Sequence, residues 1–248
     1  MPSHHPKQNH LLACMPDDQY ERLLPALELI RMPLGWSISG DASASRDIYF
    51  PVTSTVSFLA PGAEAASIEI AVVGRDGVIG YPTRAYDEVP SWTAVVKTFG
   101  YGYRLPAALA SADAARKTVL SDIAERYSQA VAAQMTKTAL CNQLHTLEQR
   151  FGRWLLLSLD LLAANEIVMA DPLVCLTLGM SREGLTESTR LLRKDSVIRH
   201  RRGSIELLDR PGLEARLCEC YVSIKKDMAR LMLDIPDADP RQVRTSTS

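Results

Sequence analysis

No apolar run in the 248 residues reaches the roughly 18 that a membrane span needs. The nearest, WLLLSLDLLAA at 154–164, is too short; Arg153 precedes it and Asp160 interrupts it. Cysteine is sparse and odd in number: Cys14, Cys141, Cys175, Cys218 and Cys220 do not make a disulfide framework. The opening MPSHHPKQNH lacks the charged and apolar regions of a secretory signal, so the expected compartment is a reducing cytoplasm. Catalytic signatures are missing too: there is no Walker loop, GxGxxG, HExxH or GxSxG. Scattered carboxylates show no paired spacing, and His145 lies in a helix rich in Leu, Arg and Glu, where a structural role is expected. The chain therefore reads as a non-enzyme, with no cofactor or metal site expected.

What is present is an ordinary globular balance with an uneven distribution of charge. The net charge is −1, yet residues 179–204 carry seven cations against three anions. A local basic stretch on a neutral protein is a nucleic-acid footprint or a solvated helix face. From about 30 to 106 short β segments follow one another: IYF at 48–50, TVSFL at 55–59, SIEIAVV at 67–73, TAVVKTF at 93–99 and YGYRL at 101–105. With glycines between them at Gly35, Gly62, Gly74, Gly77, Gly80 and Gly100, they predict a small antiparallel roll or barrel. In front of it, DDQYERLLPALELI (17–30) predicts one amphipathic helix.

From about 107 to 164 the pattern turns helical. Leu120, Ile123, Tyr127, Ala130 and Gln134 recur at alternating three- and four-residue steps, a seam for pairing two helices or a stripe packed on its own domain. A second helix puts Leu144, Leu147, Phe151, Trp154 and Leu155 on one face. Asp171 is expected to cap a short helix over 172–178 that stops at Gly179. Ser181 can cap the next, with Glu183 in its first turn and Arg193 and Lys194 in its last. Two short helices broken at a glycine form a helix-turn-helix. VIRHRRGSIELLD (197–209) predicts a hairpin turning at Arg202-Gly203, with Ile198, Ile205 and Leu207 inward: the wing of a winged helix. Beyond Tyr221 a frayed, charged tail is expected.

This order of parts resembles the Crp/Fnr superfamily over about residues 10–224. The likeness is carried by IYFPVTSTVSFL (48–59), VVGRDGVIG (72–80), CNQLHTLEQRFGRWLLLSLDLL (141–162) and RHRRGSIELLDRPGLEARLCECY (199–221), the last two similar to a subgroup in which CECY closes the DNA-binding domain. It implies an α+β protein: an N-terminal double-stranded β-roll of the cyclic-nucleotide-binding type (10–110), a dimerisation helix (111–141), a winged helix-turn-helix (142–224) and a tail (225–248). Implied DNA-binding residues are Ser181, Arg182, Glu183, Thr186, Glu187, Arg199, Arg201 and Arg202. Arg182 and Glu183 match base readers of relatives, whereas Glu187 stands where relatives carry an arginine. Implied partners are double-stranded DNA, a second copy of the chain and RNA polymerase, with an unidentified effector.

In the roll, Gly80 is followed by Tyr81 rather than the glutamate that holds ribose in nucleotide-binding relatives. Ser91-Trp92-Thr93 replaces their phosphate-gripping arginine, and neither Arg84 nor Glu88 maps onto those roles, so cyclic AMP is not the expected ligand. His4, His5 and His10 with Cys14 read as a disordered polar leader rather than a metal or haem site. Cys218 and Cys220 read as part-buried thiols rather than a redox pair. The competing functional reading is an interaction protein whose helix-turn-helix no longer binds DNA.

Overall fold

The computed structural model describes residues 4–38, 47–62, 67–81, 92–106, 108–109, 112 and 118–233. The described residues before the roll, from His4 on, are packed rather than the disordered leader expected. Asn9 is fully buried; its amide donates to the Pro51 and Gly77 carbonyls (2.9 and 2.8 Å), and its Oδ1 accepts from the N–H groups of Leu11 and Leu12. One side chain thus caps helix α1 (His10–Ala13) and fastens it to the roll, burying Leu11 and Leu12. The expected helix over 17–30 is divided. Helix α2 covers only Asp17–Leu23, a 3₁₀ turn containing Pro25 follows, and Glu28–Met32 is already strand β1. Proline has no N–H to continue the ladder, so the helix cannot run through it.

The roll is two three-stranded antiparallel sheets. Strands β2 (Ile48–Pro51), β3 (Thr55–Pro61), β4 (Ser67–Val73), β5 (Thr93–Thr98) and β6 (Gly100–Leu105) join β1 in the orders β1-β6-β2 and β4-β3-β5. Isolated bridges, Ser37 to Val95 and Tyr49 to Ile79, tie one sheet to the other. Apolar side chains from both sheets meet α1 and the first half of helix α3 (Val119–Leu144) in one core.

Helix α3 ends at His145, and Thr146 opens helix α4 (Leu147–Leu162) with a capping box: Thr146 Oγ1 accepts from Gln149 N–H, and Gln149 Oε1 accepts from Thr146 N–H. Residues Phe151 to Leu159 of α4 are buried without interruption, so this helix is the axis of the second core. Around it stand β7 (Glu166–Val168), α5 (Asp171–Leu178), α6 (Arg182–Lys194), the hairpin β8 (Ile198–Arg201) and β9 (Ser204–Leu207), α7 (Arg210–Glu214) and α8 (Glu219–Leu233). Strand β7 makes the wing a three-stranded sheet, β7-β9-β8. As far as Leu233, the last described residue, the segment after Tyr221 is helical rather than frayed, because Tyr221 and Ile224 are buried in the second core and α8 packs along α3; the rest of the expected tail lies outside the described residues. No described helix is long and apolar enough to cross a membrane.

The roll and the second core meet at a buried ion pair. Lys97 Nζ on β5 lies 3.2 Å from Glu69 Oε2 on β4, with 2 % and 8 % of the side chains exposed. Ser57 donates to the same carboxylate, while Lys97 donates to Ser158 Oγ on α4 (3.0 Å) and stands 4.5 Å from the ring centroid of Trp154. Burial pushes the Lys97 ammonium below its usual range, and the Glu69 carboxylate opposes that shift. Lys97→Met should leave a buried, unbalanced carboxylate and cost about 3–5 kcal/mol in chemical denaturation, whereas Lys97→Met with Glu69→Leu should recover most of that loss. Equal losses for the single and double variants would show that the charges are not balancing each other.

Candidate nucleic-acid interface

Helices α5 and α6 form the helix-turn-helix. Helix α5 ends at Gly179 in the left-handed conformation (φ 58°), which glycine adopts without a Cβ penalty. Asp171, expected as its cap, is instead its first residue, after Ala170. Its carboxylate takes His200 Nε2 of β8 at 2.8 Å and fastens the wing to the motif. Ser181 does cap α6, its Oγ accepting from Gly184 N–H at 3.0 Å. Gly184, a weak helix former, sits where an added Cβ would stand 3.1 Å from Leu147 Cδ1, so the glycine lets α6 close on the start of α4.

One face of α6 is core, through Leu185, Ser188, Thr189 and Leu192. The opposite face exposes Arg182, Glu183, Thr186, Glu187 and Arg190, with Ser181 exposed just ahead of them. Arg182 makes no ion pair among the described residues and projects from the first turn. Glu183 is held below the usual carboxylate range by a backbone N–H and the Ser181 hydroxyl. Glu187 is gripped by the Arg190 fork, with Nε and one terminal nitrogen each 2.9 Å from a carboxylate oxygen. That pairing keeps Glu187 ionised and hides its charge behind a guanidinium one turn on.

On the wing, Arg201 and Arg202 flank the turn at Gly203 (φ 86°) and are exposed with no ion pair among the described residues. Arg199 is paired with Glu206 across the hairpin. Among the described residues, Arg182 on the helix and Arg201 and Arg202 on the wing are exposed cations without an ion pair. Guanidinium groups of this kind can meet phosphates or base edges.

The other residues singled out in the sequence fall elsewhere. Leu120, Ile123, Tyr127, Ala130 and Gln134 are all buried within the chain itself, the first three in the core of the roll. Their heptad spacing fits a packing stripe as well as a helix-pairing seam. Spacing reports which residues share a face, not what that face meets. The N-terminal histidines do not converge with Cys14: His4 stacks on Tyr101, and His5 caps the first 3₁₀ turn. Arg84, Glu88 and Ser91 lie outside the described residues, whereas Trp92 stacks on Phe58 with centroids 4.0 Å apart. What sequence reasoning missed is that Cys218 and Cys220 meet Cys141 and His145. The only local signal was the one-turn spacing of Cys141 and His145.

Among the described residues, a six-strand roll leads through a long helix into a winged helix-turn-helix. Specifically, the chain has the Crp/Fnr fold. FixK2 from Bradyrhizobium japonicum superposes with a TM-score of 0.64 at 15% identity, over 77% of this chain and 98% of that one. CLP of Xanthomonas campestris, described as a c-di-GMP-responsive global regulator, gives 0.58 at 16% identity over 77% and 99%. A Crp/Fnr-family transcriptional regulator from Thermus thermophilus gives 0.57 at 17% identity over 76% and 97%. No family model matches the chain, and no curated protein matches it.

The Glu187–Arg190 pair yields a direct test. Glu187→Gln should release Arg190, raise affinity for non-specific duplex and steepen the plot of log affinity against log salt by about one unit. Fluorescence anisotropy across a potassium chloride series reads both; an unchanged slope would place Arg190 away from the phosphates.

Proposed function

We propose that the protein is a homodimeric, sequence-specific DNA-binding transcription regulator that works in the cytoplasm beside RNA polymerase and catalyses no reaction. The observation that carries this reading is Arg182, exposed on the first turn of α6 with no ion pair among the described residues, in the same winged helix-turn-helix whose wing exposes Arg201 and Arg202. A guanidinium there can bond guanine O6 and N7 together, and wing arginines suit phosphate. Divisions at about 110 and 141 separate sensor, helix and reader, while α8 (Glu219–Leu233) runs through the boundary expected at 224.

A dimer through α3 would use the face that the roll leaves free. Glu125, Gln129, Ala132, Thr136, Ala139 and Gln143 are exposed at alternating four- and three-residue steps, with Leu140 and Leu144 beside them. Small residues let two such helices approach closely, and a two-fold axis along α3 presents two α6 helices to an inverted repeat. The roll does not use the cyclic-nucleotide anchors of the resemblance: Tyr81 follows Gly80, and Trp92 is engaged with Phe58. Calorimetry should give no cyclic AMP affinity tighter than about 10 μM, roughly −7 kcal/mol.

Selection from random duplex pools tests the main reading. Wild type should recover an inverted repeat. Arg182→Ala should relax one base pair per half-site, worth roughly 1–3 kcal/mol of discrimination, while Arg201→Ala should weaken all sequences alike. No enriched sequence, or the reverse assignment, counts against it. For the dimer, Ala139→Glu should shift sedimentation toward monomer while the circular dichroism spectrum is kept. Charge at Ile123 or Tyr127 should instead unfold the chain, because those positions lie in its own core.

A further inference from the structure

We propose that Cys141, His145, Cys218 and Cys220 form a four-coordinate site for one thiophilic divalent cation of the zinc class, clamping the end of α3 to the start of α8. Their four ligand atoms all lie within 4.8 Å of one another. Cys141 Sγ is 3.7 Å from Cys218 Sγ, and Cys220 Sγ is 3.7 Å from His145 Nδ1. With metal–sulfur bonds of about 2.3 Å and metal–nitrogen bonds of about 2.0–2.1 Å, the edges of a tetrahedron are roughly 3.5–3.8 Å. The two separations therefore match tetrahedral edges. They are far longer than a disulfide bond of about 2.05 Å, and the five cysteines are free thiols. A cluster would instead spread its thiolates over several irons.

Three further features distinguish this group from apolar thiols that merely pack together. The histidine is oriented: while Nδ1 faces Cys220, Nε2 lies 3.5 Å from Glu219 Oε1. A carboxylate behind a ligating imidazole fixes its tautomer and raises its basicity. Next, the surroundings are cationic. Arg153, 5 % exposed, pairs with no carboxylate among the described residues; it donates to Thr138 Oγ1 and also reaches the Cys141 thiol. Its Nε and that of Arg150 have no partner. Three thiolates and a neutral imidazole on a dication leave one net negative charge, which these guanidinium groups would balance. Lastly, Cys218 precedes α8 and Cys220 lies in its first turn, where the helix dipole favours thiolate.

The site joins elements that are far apart in sequence. Cys141 is in the last turn of α3, and His145 closes that helix one turn later. Arg150, which also faces Cys141, donates to the Leu178 carbonyl (2.6 Å), the end of the first helix of the helix-turn-helix. On binding, each thiol gives its proton to solvent and its sulfur lone pair to the metal, with no change of oxidation state.

The experiment uses the full chain and does not depend on DNA binding. Protein produced in zinc-supplemented medium and purified without chelator should contain one zinc per chain by elemental analysis. Cobalt(II) added to the metal-free reduced protein should give the intense visible bands of a tetrahedral site and a thiolate-to-cobalt charge-transfer band. Cys220→Ser and His145→Ala should lose or weaken those bands, while Cys14→Ser and Cys175→Ser keep them. Glu219→Gln should bind zinc ten- to a hundredfold more weakly. Absence of both zinc and tetrahedral cobalt bands from the wild type would overturn the proposal. So would a Cys141–Cys218 disulfide in freshly purified protein, or cobalt bands unchanged by both Cys220→Ser and His145→Ala.

Discussion

Two opposite charges withdrawn from water hold the halves of this molecule in register. Neither Lys97 nor Glu69 could stay ionised and buried alone, because desolvating either charge costs several kcal/mol. Each needs the other, and the pair needs Ser57, Ser158 and Trp154 to complete its shell. Because Ser158 and Trp154 belong to α4, the shell closes only when the second core is seated on the β4–β3–β5 sheet. A purely apolar contact would tolerate sliding. A lysine with fixed acceptors and an aromatic face beneath it defines one seat.

From that seat the position of the helix-turn-helix follows. Helix α4 carries Arg150, whose hydrogen bond to the Leu178 carbonyl supports the end of α5. It also carries Asp160, which receives Arg210, Tyr221 and Lys225 and so gathers α7 and α8 around one carboxylate. Helix α5 lies against β4, and Ile68 comes within 3.1 Å of where a Cβ on Gly179 would stand. The turn of the helix-turn-helix therefore touches the roll directly. A change in the roll at β4 has two routes to α6, through the turn and through α4.

Much of this was legible in the residues. Strand segments rich in β-branched residues and separated by glycines fell where the sheets are, and the Gly179 break with its Ser181 cap marked α5 and α6. What was not legible depended on partners distant in sequence. The stripe Leu120–Ile123–Tyr127 has the spacing of a dimer seam, but the same spacing serves a helix lying on its own roll. The histidine-rich start looked like a polar leader because one buried side chain, Asn9, does the anchoring. Pro25 was readable as a helix stop, yet the apolar periodicity on both sides of it imitated one continuous helix. Glu187 looked like a misplaced charge until Arg190 was seen to grip it. Cys218 and Cys220 read as plain part-buried thiols because no linear spacing reveals that residues 141 and 218 touch.

The wing has an open flank. In the order β7-β9-β8, strand β8 has a neighbour on one side only among the described residues, so its other row of backbone groups could template a strand from another molecule. Its sequence, Ile-Arg-His-Arg, sets exposed guanidinium groups along that border. Two copies approaching edge to edge would bring like charges together before any backbone bond could form. The arginines that suit a polyanion thus also guard the protein against its own aggregation. A chain that shed them would expose a sticky edge, so selection for solubility alone would preserve part of a basic wing.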